Sequence, residues 1–176
     1  MRKLLSNSIA NGINRMLAAL PRFNATTLFA LGFLFQAISG SVIGIVLSQG
    51  DIDLAYPNTH YVVAHFRYTM SIAAVFLLFA GIYFWFGKVT GRRYSEVAAK
   101  LHFWLLFIGV NVAFFAQHFP GRQAVRRRYI DYPETNAHLN QISAVGALIA
   151  CASVVLFFAI VLHGLMRGKK VAESSR

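Results

Sequence analysis

The chain has 176 residues, of which 57% are hydrophobic and only 13% charged, about half the charged share of a soluble domain, and its mean hydropathy is positive. That excludes an ordinary water-soluble globule and predicts an integral membrane protein. The formal net charge of +11 would suit nucleic acid or an anionic membrane surface, but the basic residues sit in loops and tails between apolar runs, the pattern that orients a chain in a lipid bilayer rather than one that binds nucleic acid.

Residues 1–25 differ from everything that follows. They carry Arg2, Lys3, Arg15 and Arg22 and no acidic residue. Leu5, Ile9, Ile13, Met16 and Leu20 recur at three- and four-residue intervals, which is an amphipathic helical stripe. Two readings fit this basic leader: a helix lying along the membrane surface, or a transit-like segment. It has no continuous apolar core of the secretory kind.

Four apolar runs follow, at residues 26–47, 61–86, 97–119 and 142–165. Each can cross a hydrocarbon core of about 30 Å at about 1.5 Å per residue. The expected fold class is therefore all-α, an integral membrane bundle of four transmembrane helices spanning residues 26–165, with a basic tail at 166–176. Gly40 and Gly44 in the first run are spaced for close approach of another helix. Cys151, alone in the fourth run, supports neither a disulfide nor a cysteine-based metal site and is expected to pack as a small buried hydrophobe.

Loop charges orient the bundle. The leader, the segment from 87 to the start of the third run (Lys88, Arg92, Arg93, Lys100) and the tail (Arg167, Lys169, Lys170, Arg176) are basic, whereas the connection 48–60 carries Asp51 and Asp53 and no basic residue. The positive-inside rule then puts both termini on the cytoplasmic side, or in the matrix if the membrane is mitochondrial. The loop 120–140 runs against this trend with Arg122, Arg126, Arg127 and Arg128. Planar guanidinium forks on that side call for carboxylate or phosphate partners, or for a solvated position near lipid headgroups.

Ionisable groups inside membrane helices mark functional sites by default. His65 and Arg67 lie a few residues into the second run. Two residues along an α-helix is about 200° of rotation, so the pair would serve two different neighbours. His102, Asn111, Gln117 and His118 dot the third run. His102, Gln117 and His118 are expected to pack and hydrogen-bond rather than to act as ligands, Asn111 is expected to bond across to another helix, and His102 and His118 are too far apart to share a metal.

The segments Thr27-Leu-Phe-Ala-Leu-Gly-Phe-Leu-Phe35, Tyr61-Val-Val-Ala-His-Phe66, Lys100-Leu-His-Phe-Trp104, Phe107-Ile-Gly-Val-Asn111, Gln117-His-Phe119 and Arg127-Arg-Tyr-Ile-Asp-Tyr-Pro133 resemble subunit I of haem-copper cytochrome c oxidase, in that family's order and spacing. The resemblance covers the last four of that subunit's twelve helices, and residues 1–25 match nothing in it. It implies a role in aerobic respiration, in a bacterial or mitochondrial inner membrane. The implied partners are the lipid bilayer and other oxidase chains, including one supplying the first eight helices. It also implies that His65 is the axial ligand of the oxygen-binding haem, that Arg127 and Arg128 hold haem propionates, and that Asp131 is a matched motif position.

Three positions depart from the family pattern. Arg67 stands where the second haem ligand, a histidine, belongs, and a protonated guanidinium has no lone pair for iron. Pro57 and Asn58 replace the His-Asp pair of an outer magnesium site, and neither offers the carboxylate that a hard cation prefers. The low-spin haem ligand and the magnesium site are therefore expected to be lost, and the copper ligands of the family fall on helices outside this sequence. Two functions remain open. One is a component of a split oxidase, catalytic only with other chains; the other is a degenerate or repurposed paralogue with a structural, accessory or assembly role.

Overall fold

A computed structural model describes residues 23–47, 66–122 and 137–170. The expected architecture is present: four helices long and apolar enough to cross a membrane, and no strand among the described residues. They are α1 (Ala25–Leu47), α2 (Ala73–Thr90), α3 (Glu96–Arg122) and α4 (Ala137–Arg167). A six-residue π-helical turn, Arg67–Ile72, leads directly into α2.

The helices start and stop where local chemistry dictates. Asn24 caps α1, its Oδ1 accepting from the Thr27 amide at 2.9 Å and from the Thr27 hydroxyl at 2.7 Å. The next free amide of that end, on Ala25, donates to the Glu96 carboxylate, so the start of α3 satisfies the start of α1. Gly91 ends α2 in the left-handed region at φ 65°, returning its amide to the Gly87 carbonyl at 3.1 Å. Ser95 then opens α3, its hydroxyl accepting from the Ala98 amide at 3.4 Å.

Several boundaries differ from those read in the sequence. α2 runs four residues beyond Phe86, so the connection to α3 is only Gly91 to Ser95. α3 continues to Arg122, and α4 begins at Ala137, which shortens the basic loop at both ends. Apolar runs mark the hydrocarbon core, whereas helices continue into the headgroup layer because their backbone bonds are satisfied there too. At 31 residues, α4 is about 46 Å long, well beyond the hydrocarbon thickness.

α4 packs most extensively on α3, and α1 on α2. Along the α3–α4 seam, a Cβ at Gly109 would stand 2.7 Å from the Ala150 nitrogen and 2.9 Å from the Gly146 carbonyl oxygen. A Cβ at Gly146 would stand 2.7 Å from the Gly109 oxygen. Only the missing side chains let these backbones meet. The Ser143 hydroxyl adds a cross-helix bond to the Ala113 carbonyl at 2.7 Å. Elsewhere the core is aromatic, with Phe29, Phe76, Phe79, Tyr83, Phe103 and Phe157 in one cluster. Large apolar side chains such as Ile38, Leu77, Leu148 and Val155 point outward, as lipid requires. Cys151 is exposed on α4 rather than buried. An apolar run in a membrane helix does not say which of its faces turns inward.

Candidate functional site

The centre of the bundle is a buried polar pair inside a ring of aromatics. His102 of α3 is completely buried, and its Nδ1 lies 2.9 Å from the Tyr83 hydroxyl of α2. Phe29 of α1, Phe79 of α2 and Phe157 of α4 pack on the imidazole at centroid distances of 5.0, 4.7 and 5.5 Å. All four helices thus converge on one side chain. The imidazole Nε2 has no partner among the described residues, so among them one ring nitrogen is unsatisfied in either tautomer. His102, expected to pack and hydrogen-bond rather than to act as a ligand, makes its hydrogen bond here to another helix. No group of three His, Cys, Asp or Glu able to hold a metal occurs among the described residues.

From this pair the polar groups continue toward one end of the bundle. The Tyr83 and Tyr94 rings pack at a tilt, with centroids 4.8 Å apart, and Thr26 and Glu96 lie close enough to act on the Tyr94 phenol. Burial, reinforced by the Glu96 charge, pushes the Tyr94 phenol above its usual 10.0, against the opposing influence of Thr26. Beside it opens a cavity of about 560 Å³, bordered by Asn24, Phe84, Lys88, Arg92 and Arg93 as well as by the two tyrosines and Glu96. The connection is stitched to the end of α4: the Arg92 guanidinium donates to the Met166 carbonyl at 3.0 Å, and the Arg93 amide donates to the Lys169 carbonyl at 2.9 Å. A second, apolar cavity of about 480 Å³ lies between α3 and α4, beside Asn111, Phe115 and Ile142.

Arg67 is the first residue of the π-helical turn, and its backbone is described. The α-helical periodicity assumed from Tyr61 onward therefore does not run through residues 67–72; it holds from Ala73, where the buried face is Ala73, Phe76, Phe79, Ala80, Tyr83 and Phe86. Isolated π turns frequently accompany functional sites. His65, Pro57, Asn58, Arg127, Arg128 and Asp131 lie outside the described residues, so the structure does not bring the expected ligand set together. Gln117 and His118 fall on α3, but their side chains lie outside the described set as well. The Asn111 amide donates to the Phe107 carbonyl at 2.7 Å, within α3.

Sequence reasoning missed several groups. Tyr83 carries no motif, and only its pairing with His102 reveals it. Gln36, in the middle of α1, is almost fully buried with both polar side-chain atoms unpartnered among the described residues; a lone amide in an apolar run was a readable signal. Glu96 was readable too, since an acidic residue just after a serine is the pattern of a helix start.

Known proteins place the chain. The sequence profile of the family described as Cytochrome C and Quinol oxidase polypeptide I matches residues 6–149. The match begins inside the leader, so the expectation that residues 1–25 match nothing in the family is corrected. Cytochrome c oxidase subunit 1 of Cereibacter sphaeroides is 54% identical over 148 residues, covering 84% of this chain and 26% of that protein. The subunit 1 of Yarrowia lipolytica is 42% identical over 157 residues, covering 87% of this chain and 29% of that protein. A cryo-EM structure of a haem-copper terminal oxidase dimer shares the fold, with a TM-score of 0.72 at 21% identity, over 88% of this chain and 29% of that one. The chain thus spans between a quarter and a third of the length of the relatives it matches. It belongs to the cytochrome c and quinol oxidase polypeptide I family, in which haem is the implied cofactor.

Proposed function

We propose that the chain acts as the C-terminal four-helix part of a haem-copper oxidase subunit I, in complex with chains that supply the remaining helices. The observation that carries this reading is the close sequence likeness to cytochrome c oxidase subunit 1 over most of the chain. Oxidase subunits and the bilayer are the proposed partners. The membrane is a bacterial or mitochondrial inner membrane, with the leader (1–25), the basic tail (166–176) and so both termini on the cytoplasmic or matrix side, as the loop charges argue.

The chemistry of the donor set fits one haem and not two. His65 offers an imidazole lone pair to iron, and Arg127 and Arg128 offer paired donors to propionates. Asp131 belongs to the same motif. Arg67 offers iron nothing. A haem held this way would supply an iron centre for electron transfer to oxygen. Pro57 and Asn58 leave no outer magnesium site, and copper ligands would have to come from a partner chain.

Arg67 favours a second reading, a paralogue that keeps the bundle but serves a non-catalytic accessory or assembly role. Purification of the full chain with its partners from native membranes separates the two. A split oxidase should bring down an eight-helix partner bearing copper-binding histidines, with haem that His65→Ala removes. Recovery with a complete twelve-helix subunit I, and no haem dependent on His65, selects the accessory role. A bis-histidine haem signal from the chain alone would overturn the reading of Arg67.

A further inference from the structure

We propose that the 560 Å³ cavity beside the α2–α3 connection is a binding site for the phosphate headgroup of an anionic phospholipid. The inference rests on the bundle's membrane character and is independent of any oxidase activity. Three cations border the cavity, Lys88, Arg92 and Arg93, against a single carboxylate, Glu96. That carboxylate is already engaged, accepting from the Ala25 amide. Glu96 is the one acidic residue among those described. The Arg92 guanidinium reaches a neutral carbonyl, that of Met166, which orients it without cancelling its charge. The segment leading into Asn24 has no acidic residue to offer either.

Position and shape argue for a lipid. The cavity lies where α1 begins, α2 ends, α3 begins and α4 ends, held together by the Ala25–Glu96, Arg92–Met166 and Arg93–Lys169 bonds. Ends of membrane helices sit at the headgroup level, and basic pockets between them suit anionic headgroups. Asn24 and Tyr94 add polar side chains to the lining, while Phe84, half exposed, forms an apolar wall. Lys88 lies over the Phe84 and Trp85 rings, with its Nζ 4.3 and 5.0 Å from their centroids. Its ammonium is thus held at the mouth by the faces of two rings that also border the lipid. An acyl chain would lie along those rings with the phosphate among the cations.

Trp85 makes the site testable. With W104F removing the second of two tryptophans, the full chain in vesicles of phosphatidylcholine and phosphatidylglycerol reports lipid contact through quenching by brominated acyl chains. Brominated phosphatidylglycerol should quench Trp85 in clear preference to brominated phosphatidylcholine. K88Q/R93Q, which spares the Arg92 bond to α4, should weaken that preference by about five-fold for each cation removed, and K88R/R93K should retain it. R2Q/K3Q/R15Q, removing cations from the leader, should leave it unchanged. Equal quenching by the two lipids overturns the proposal, as does a loss as large in the leader variant as in K88Q/R93Q, which marks a general surface potential. Displacement by inorganic phosphate at constant ionic strength would assign the cavity to a soluble phosphate instead of a lipid. A preference seen only in E173Q would give it to the chain's own tail.

Discussion

Where α3 crosses α4, the backbones meet through Gly109 and Gly146; where all four helices converge on His102, they are held apart by Phe29, Phe79, Tyr83 and Phe157. Both are solutions to one problem. In a bilayer, apolar side chains gain little by leaving lipid for protein, so helices associate through close packing and hydrogen bonds. The seam gets its contacts by deleting side chains. The cage gets them by interlocking large ones around a polar pair. The seam should therefore be intolerant of added volume, and the cage of lost volume.

The largest effect is expected at the cage. Phe29 contacts Phe76, Phe79, Tyr83, His102 and Phe103 at centroid distances between 5.0 and 5.7 Å, so Phe29→Ala opens a void that five neighbours on two helices would have to fill. A loss of about 3 kcal/mol in detergent unfolding is expected, the low end for such a truncation because lipid removes much of the transfer contribution. A loss under about 1 kcal/mol would mean that the cage collapses onto the gap and is less rigid than the ring geometry says.

Gly146→Ala is the complementary test. The new methyl would stand 2.7 Å from the Gly109 carbonyl oxygen, and backbone cannot rotate away as a side chain can. The seam should open at a cost of about 1–3 kcal/mol. Gly81, where a Cβ would meet nothing within 4 Å, supplies the control: Gly81→Ala should be neutral or slightly stabilising, given alanine's better helix propensity. Equal effects at the two glycines would remove the distinction between seam and cage.

This contrast was only half legible in the sequence. Apolar run length and loop charge gave four spanning helices, because lipid thickness fixes that length physically. The close approach of Gly109 and Gly146 was not legible, because these are single glycines on separate helices with no spacing motif between them. Likewise His102 was readable as a buried polar group, whereas Tyr83 was one of seven tyrosines until its hydroxyl met the imidazole. Each helix is apolar nearly all round, so periodicity cannot name its inner face, as Cys151 illustrates. The family motifs around His65 and Arg127 were the most legible part of the chain, yet they fall outside the described residues.

The polar pair gives a smaller, sharper test of the cage. Tyr83→Phe removes a hydroxyl and strands the His102 Nδ1, on a ring whose Nε2 is already unpartnered. About 1 kcal/mol should be lost. Adding His102→Leu should then recover part of it, because removing both partners leaves no stranded group. If the double variant instead loses the sum of the two single changes, the imidazole is held by its ring contacts and not by the Tyr83 bond.

The smallest effect separates the two regions by pH. The described hydrogen bond across the seam joins a serine hydroxyl to a carbonyl, so its strength should be flat from neutral to alkaline conditions. The cage reaches the end of the bundle through Tyr94, which packs at a tilt on Tyr83 and edge-on to Phe86, with centroids 4.8 and 5.7 Å apart. Burial first, and then the Glu96 charge, raise its phenol above 10.0. The folded chain therefore keeps a proton that the unfolded chain surrenders. Below pH 10 both states hold it, and Tyr94 makes stability no function of pH. Above pH 10 the unfolded state binds fewer protons, and stability falls as pH rises toward the folded-state value. Other groups titrate in the same window, so the measurement is the difference between the original chain and Tyr94→Phe, followed by detergent unfolding from pH 8 to about pH 11. The original chain should lose stability more steeply above pH 10 than the variant. Parallel curves would show that Tyr94 is as open to solvent when folded as when unfolded, and the aromatic cage would then end at Tyr83.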